Sequence, residues 1–244
     1  MRIAYNNKAD DGVLSGVANV NYPLINLQEQ RLAKPWRSPT GSAQTVVCAF
    51  TAATVITTIG VIEHNLASGD TVTIEANAAD AWTAPSFTTS LTYTSNMILK
   101  YIAGETYKYW RFVFQTTEEY VQAGRIWLGE YITIDPSSLI NFNVKLKRND
   151  NVNYGRGRQK FSVPGIAWRE FKLTFPKTAY ATVDLVKTMF EDAGNWQSLI
   201  FCNLDTARDY DIIEPCYCSI VGDINFNHTK GMHFIYKLIL EEDK

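Results

Sequence analysis

Three histidines, four cysteines and a scatter of carboxylates are the residues of this 244-residue chain best suited to chemistry. The histidines are His64, His228 and His233, and none stands in an HExxH or comparable ligand spacing. His64 ends a strand-like run and abuts Asn65, the setting of a turn or an interface. His228 falls in an expected hairpin turn over 225–231, and His233 on the face of the last strand opposite Phe234. Cys216-Tyr217-Cys218 puts a single residue between thiols, whereas zinc sites space them more widely and add a second ligand pair. Together with Cys202 they read as small core thiols, and no metal site is expected. Asp205, Asp209, Asp211 and Glu214 form an acidic loop without the spacing or glycine of an EF-hand. A solvated loop is the reading there, with an irregular calcium loop as the alternative. Neither a GxSxG elbow nor a GxxxxGKS loop occurs, and Gly155 and Gly157 do not form one. The chain is therefore read as a non-enzyme, with no catalytic residues and no cofactor.

Binding chemistry has more to draw on. The tryptophans are Trp36, Trp82, Trp110, Trp127, Trp168 and Trp196. Trp110 and Trp127 alternate with apolar neighbours and read as core. Trp36, Trp82 and Trp196 fall in expected loops, where function concentrates. Trp36 and Trp82 are the candidate sugar-binding residues; the competing role is to pin their loops. A basic run, Lys145, Lys147, Arg148, Arg156, Arg158 and Lys160, has the charge to meet phosphates. The net charge of −2 provides no global field for nucleic acid, so a protein contact or a solvated loop is the better reading. Arg156, Arg158 and Lys160 are accordingly candidates for an assembly arm.

The elements that position these residues are mostly strands. Trp110, Phe112 and Phe114 alternate with Arg111, Val113 and Gln115, the period of a strand with one buried face. Further strands are expected at 2–5, 45–50, 54–62, 71–76, 97–102, 125–128 and 131–134. Asp135-Pro136 ends that series, because proline cannot donate to a ladder. Phe142 to Lys147 can pair as a further strand, and Asn149 to Gly157 reads as a linker or long exposed loop. Beyond it Phe171, Leu173 and Phe175 alternate up to Pro176. A helix is expected over 179–193, with Val183, Val186 and Phe190 as its stripe, Leu185 and Met189 beside it, Thr178 as N-cap and Gly194 past its end. Strands at 199–202, 216–220 and 234–240 complete the chain.

Hydrophobic residues at 46% and charged residues at 20% are the proportions of a folded chain, not a disordered one. The class is mostly β, α+β in detail: an N-terminal β-sandwich over 1–140, an extended arm or linker over 141–165, and a sheet with one amphipathic helix over 166–244. The start, MRIAYNNKADDG, lacks the apolar stretch of a signal peptide, and no apolar run reaches the length of about eighteen residues that a membrane span needs. Reduced thiols are expected on that ground.

Three segments carry a family resemblance: NLQEQRLAKPWRS (26–38), IEHNLASGDTVTIEA (62–76), and the block holding Tyr109-Trp110-Arg111 and Gly124 to Glu130. Together they resemble tail-tip proteins of tailed bacteriophages, and the N-terminal part is similar to discoidin, or galactose-binding, β-sandwiches. YGRGRQKFSVPGIAWREFKLTF (154–175) resembles the continuation of those phage proteins, and the resemblance implies a jelly-roll-like sandwich for 1–140 and a split-barrel-like sheet for 166–244. Distal tail proteins usually place the ring-forming barrel first, the reverse of the order here. The calcium site and charged pocket of many sugar-binding relatives have no matching positions. The resemblance implies a structural virion protein of a phage tail tip or baseplate, forming a homo-oligomeric ring that links the tail tube to hub or fibre proteins. It would be assembled in the host cytoplasm and reside in the virion tail. The alternative it implies is a carbohydrate-binding module for a host surface glycan.

Overall fold

The computed structural model describes residues 1–41, 43–134, 141–154, 160–202, 215–229 and 233–243. These form two compact units, Ala4–Ile132 and Met1–Ile3 with Thr133–Lys244. In chain order the first strands are β1 (Arg2–Tyr5), β2 (Val13–Gly16), β3 (Trp36–Arg37), β4 (Gln44–His64), β5 (Thr71–Asn77), β6 (Phe87–Leu91), β7 (Met97–Gln115) and β8 (Gln122–Thr133).

Unit Ala4–Ile132 is a β-sandwich built from strands that serve both of its layers. The alternation of β7 is real: Trp110, Phe112 and Phe114 are fully buried, while Arg111 and Val113 are half-buried and Gln115 is exposed. β4 was expected as two strands and is one, with its register against β7 shifting between Ala49 and Thr54 and again between Ile56 and Thr58. Its first part lies between β2 and the stretch 109–114 of β7; its last part lies between 97–101 of β7 and β8. Val46, Cys48 and Phe50 from the first part and Ile59 and Val61 from the last enter one hydrophobic core. Such strands bend at bulges and cross from layer to layer. In β7 the bend coincides with Gly104, whose φ of 103° favours glycine. The two short strands expected at 125–128 and 131–134 are also one strand, β8. Gly129, read as a stop, instead makes room for a ring: a Cβ there would lie 2.8 Å from Trp127 Nε1.

A 3-10 turn at Lys8–Asp11 closes one side of this unit. Just ahead of it, Asn7 acts as a strand surrogate. Its Nδ2 donates to Ile126 O at 2.9 Å and its Oδ1 accepts from Leu128 N at 2.9 Å. Asp10 pairs with Arg125, whose side chain is 2% exposed. Burial pushes the Asp10 carboxyl up to about 6 despite the opposing pull of Arg125.

The second unit contains β9 (Asn141–Arg148), β10 (Asn151–Tyr154), β11 (Lys160–Val163), β12 (Ala167–Ala179), α1 (Tyr180–Ala193), β13 (Ser198–Cys202), β14 (Cys216–Ile220), β15 (Asn227–Thr229) and β16 (His233–Glu242). Its sheet is antiparallel in the order β13-β14-β16-β12-β9, with β15 against the start of β16. The segment read as an arm thus holds three strands, the first of them the strand foreseen at 142–147. β9 pairs along its length with β12, and past the Asn149 N to Ile166 O bond (3.3 Å) the same ribbon continues as the hairpin β10–β11. Proline 176 does not end its strand. β12 runs on to Ala179, and its register against β16 shifts between Phe175 and Thr178, where a missing N–H is tolerated.

Phe171, Leu173 and Phe175 of β12 and Tyr236, Leu238 and Leu240 of β16 make the apolar face of this sheet. The helix starts at Tyr180, and its N-cap is Ala179, without a side-chain cap bond; Thr178 belongs to the strand and its hydroxyl is enclosed. The buried stripe is Val183, Val186, Met189 and Ala193; Leu185 is exposed and Phe190 only half-buried. Gly194 closes the helix with φ 54°, its N–H bonding Phe190 O at 2.8 Å. None of the four cysteines, all of them described and buried, forms a disulfide. His228, expected in a turn, lies in β15 edge-on to Phe234. Among the described residues no helix is long and apolar enough to cross a membrane.

Candidate functional site

The sequence-predicted residues fare differently. Trp36 is not available to a ligand. Its ring is fully buried, 5.8 Å from the ring of Phe114, and its Nε1 donates to Val17 O at 3.1 Å. It pins the loop that precedes it by pairing, as β3, with Ala123 of β8. Arg156 and Arg158 lie outside the described residues; Lys160 opens β11, and of it only the strand position is described. His64 is fixed by a 2.9 Å contact between Nε2 and Thr94 O, and burial lowers its pKa. Among the described residues no cluster of three or more His, Cys, Asp or Glu side chains could hold a metal ion.

Trp82 is the exception. It is partly exposed, on the loop between β5 and β6. The register of β5 against β7 sets Glu75 directly opposite Arg111 on the face away from the core, because the neighbours Ile74, Ala76, Trp110 and Phe112 all point inward. Arg111 donates from both Nε (2.7 Å) and Nη2 to Glu75 Oε2. Its guanidinium carbon sits 4.5 Å from the centroid of the Trp82 ring, a cation–π contact that fixes the ring over the sheet. The loop is built to hold this pose. Asn77 Nδ2 donates to Ala81 O at 2.7 Å, its Oδ1 accepts from Ala78 N and Ser86 Oγ, and Trp82 Nε1 donates to Asp80 Oδ1 at 2.7 Å.

What this arrangement can do follows from what it leaves unused. Glu75 Oε1 and Arg111 Nη1 have no hydrogen-bond partner among the described residues, so the ion pair keeps one acceptor and one donor unused, and the guanidinium lies against an aromatic ring. Tyr109, half-buried, lies opposite Asn77 at the next position along the same face. An aromatic surface next to a paired donor and acceptor suits a ring with C–H faces and hydroxyl edges. Among the described residues it holds no nucleophile paired with a general base. The sequence singled out Trp82 but not its partners: Arg111 and Glu75 are polar positions on alternating strands, and only the strand register brings them together.

No protein-family model matches the chain, and no curated protein matches it. Similar folds occur among solved structures. A chitosan-binding module of a chitosanase/glucanase from Paenibacillus sp. IK-5 aligns with a TM-score of 0.43 and 14% identity over 52% of this chain and 99% of its own. The family 32 carbohydrate-binding module of NanJ from C. perfringens, in complex with galactose, aligns with a TM-score of 0.43 and 8% identity over 53% of this chain and 100% of its own. A Ruminococcus gnavus fucosidase in complex with fucose aligns with a TM-score of 0.45 and 11% identity over 52% of this chain, and the match spans 27% of that protein. At these scores the likeness assigns no residue a role.

Proposed function

We propose that this chain is a non-catalytic recognition protein whose unit Ala4–Ile132 binds carbohydrate at the Trp82 face. The observation that supports it is the partly exposed Trp82 ring held over the Arg111–Glu75 pair, with one donor and one acceptor left open. A sugar would stack its C–H face on the aromatic surface and meet Arg111 Nη1 and Glu75 Oε1 with neighbouring hydroxyls. Stacking of this kind and two charge-assisted hydrogen bonds give a single shallow site a weak affinity, so presentation in several copies would suit it. A glycan array followed by titration calorimetry tests the reading. Binding that is lost on Trp82→Ala and on Arg111→Ala supports it; the absence of any glycan hit, or hits indifferent to both substitutions, sinks it.

A second reading, favoured by a different observation, is the structural one: a subunit of a phage tail tip or baseplate that forms a ring with its own copies and joins tube, hub or fibre proteins. β9 is an edge strand among the described residues, and the ribbon it starts exposes Leu146 (78%), Val163 (67%) and Ile166 (64%). Two-stranded ribbons are marginal in water without a further partner, and an apolar one invites pairing. In this reading the second unit assembles and the sandwich is displayed, so the two readings are compatible. Sedimentation over a wide concentration range, with Leu146→Glu/Ile166→Glu as the control, decides it; a strictly monomeric chain would count against assembly.

A further inference from the structure

The second unit has a sheet face that neither reading uses. Phe171, Leu173 and Phe175 point to one side of β12, so Glu170, Lys172 and Thr174 point to the other. Registers extend this outer face across three strands: Lys145 of β9 lies opposite Glu170, which lies opposite Glu241 of β16; Asn143 lies opposite Lys172, which lies opposite Ile239; and Thr174 lies opposite Lys237. Lys145, Lys172 and Lys237 therefore form a diagonal stripe, each one strand over and two residues along from the last.

Two clefts flank the stripe. One, of about 470 Å³, is lined by Phe142, Asn143, Lys145, Lys172 and Thr174. The other, of about 360 Å³, is lined by Asp223, Asn225, Asn227, Ile235, Lys237 and Ile239, among others. They adjoin, because Thr174 and Lys172 of the first are the direct strand partners of Lys237 and Ile239 of the second. The counter-charges on this face are mostly spoken for. Lys147 bridges Glu170 and Glu241, whose carboxyls it holds below their ordinary range by hydrogen bonding. Lys172 reaches Glu170 only at 3.4 Å, and Asp223 stands at the rim. Lys145 and Lys237 make no ion pair among the described residues, and both are exposed.

We propose that this groove docks an extended acidic polypeptide segment with carboxylates on alternate residues. The spacing argues for it. Diagonal neighbours on adjacent antiparallel strands stand roughly 7–8 Å apart, and side chains on one face of an extended chain recur about every 6.6–6.8 Å. Three successive carboxylates on one face of an extended segment thus match three lysines in a row. Asn143, Asn225 and Asn227 provide side-chain amides along the clefts for the segment's backbone. A chain of net charge −2 has no long-range field for a polyanion, so attraction is confined to this stripe and to a short segment.

The test is fluorescence anisotropy of a labelled peptide of alternating Glu and Ser titrated with the full chain. Saturable binding that weakens as salt rises is expected. Lys145→Glu/Lys237→Glu should weaken it by about tenfold or more while leaving the circular-dichroism spectrum and melting point unchanged, since both lysines are exposed. A peptide with the same glutamates in one block should bind less tightly. Three results overturn the proposal: no binding at low salt, binding indifferent to the charge reversal, or tighter binding of a single-stranded oligonucleotide of equal charge, which would assign the groove to nucleic acid.

Discussion

Truncating Trp36 separates a core tryptophan from a binding tryptophan. A buried aromatic removes roughly 150–250 Å² from water, which at about 25 cal/mol per Å² is some 4–6 kcal/mol as an upper bound. Trp36→Ala keeps the Cβ and lets the site collapse in part, but it loses the contact with Phe114 and the Nε1 bond to Val17 O. The net cost should fall at about 3–5 kcal/mol, the range for large aromatics cut to alanine in cores. Urea unfolding followed by circular dichroism reads this directly as a lower midpoint at constant slope. Trp36→Phe should cost less, since it keeps most of the ring volume. Trp82→Ala should lower the unfolding free energy by less, about 1 kcal/mol, as expected for a partly exposed loop side chain that makes a half-buried cation–π contact. Equal effects at the two positions, or a Trp36→Ala chain of unchanged stability, would refute the burial argument.

Other outcomes follow from named groups. Asp10 has a folded-state pKa raised from 3.8 to about 6, so the folded chain holds this proton more tightly than the unfolded one. Its stabilising contribution is complete below pH about 4 and is lost as pH rises through about 6. The urea midpoint of Asp10→Asn should lack that slope, and parallel profiles for the two chains would contradict the assignment. Gly104→Ala should cost about 1 kcal/mol through its φ of 103° alone, because the nearest atom to an added Cβ is an ordinary 3.6 Å away. Differential scanning calorimetry of that variant checks it; no change in melting point would show that the backbone relaxes.

The parts of the fold legible in the sequence are those where burial is one-sided and local. Trp110, Phe112 and Phe114 announce their strand because each second residue meets the core. The unity of β4 and of β8 was hidden, since bulges break alternation and Gly104 and Gly129 look like stops. Trp36 gave no local sign of burial. It sits in a two-residue strand after a polar stretch, and its enclosure comes from a partner far along the chain, Ala123. The Trp82 site and the lysine stripe share that limitation: both are assembled by register across strands, and a one-residue slip would dissolve either one. The helix was legible in extent and, through Val183, Val186 and Met189, in most of its facing; Phe190 and Leu185 were not sorted, because they are as apolar as the residues that are buried.

The layer-crossing strands carry a kinetic consequence. β4 and β7 each change partners along their length, β4 from β2 to β8 and β7 from β5 to the far end of β4, so neither layer of the sandwich can finish without the other. Partial unfolding that frees one sheet would have to tear strands in mid-length. Unit Ala4–Ile132 should therefore open as one cooperative body, with amide protons of both layers exchanging at similar, slow rates. Reaching that state requires pairings such as Gln44 with Phe114 before any layer is closed, the long-separation contacts that put folding in the millisecond-to-second range. The β10–β11 ribbon has no such constraint, and its amides should exchange first.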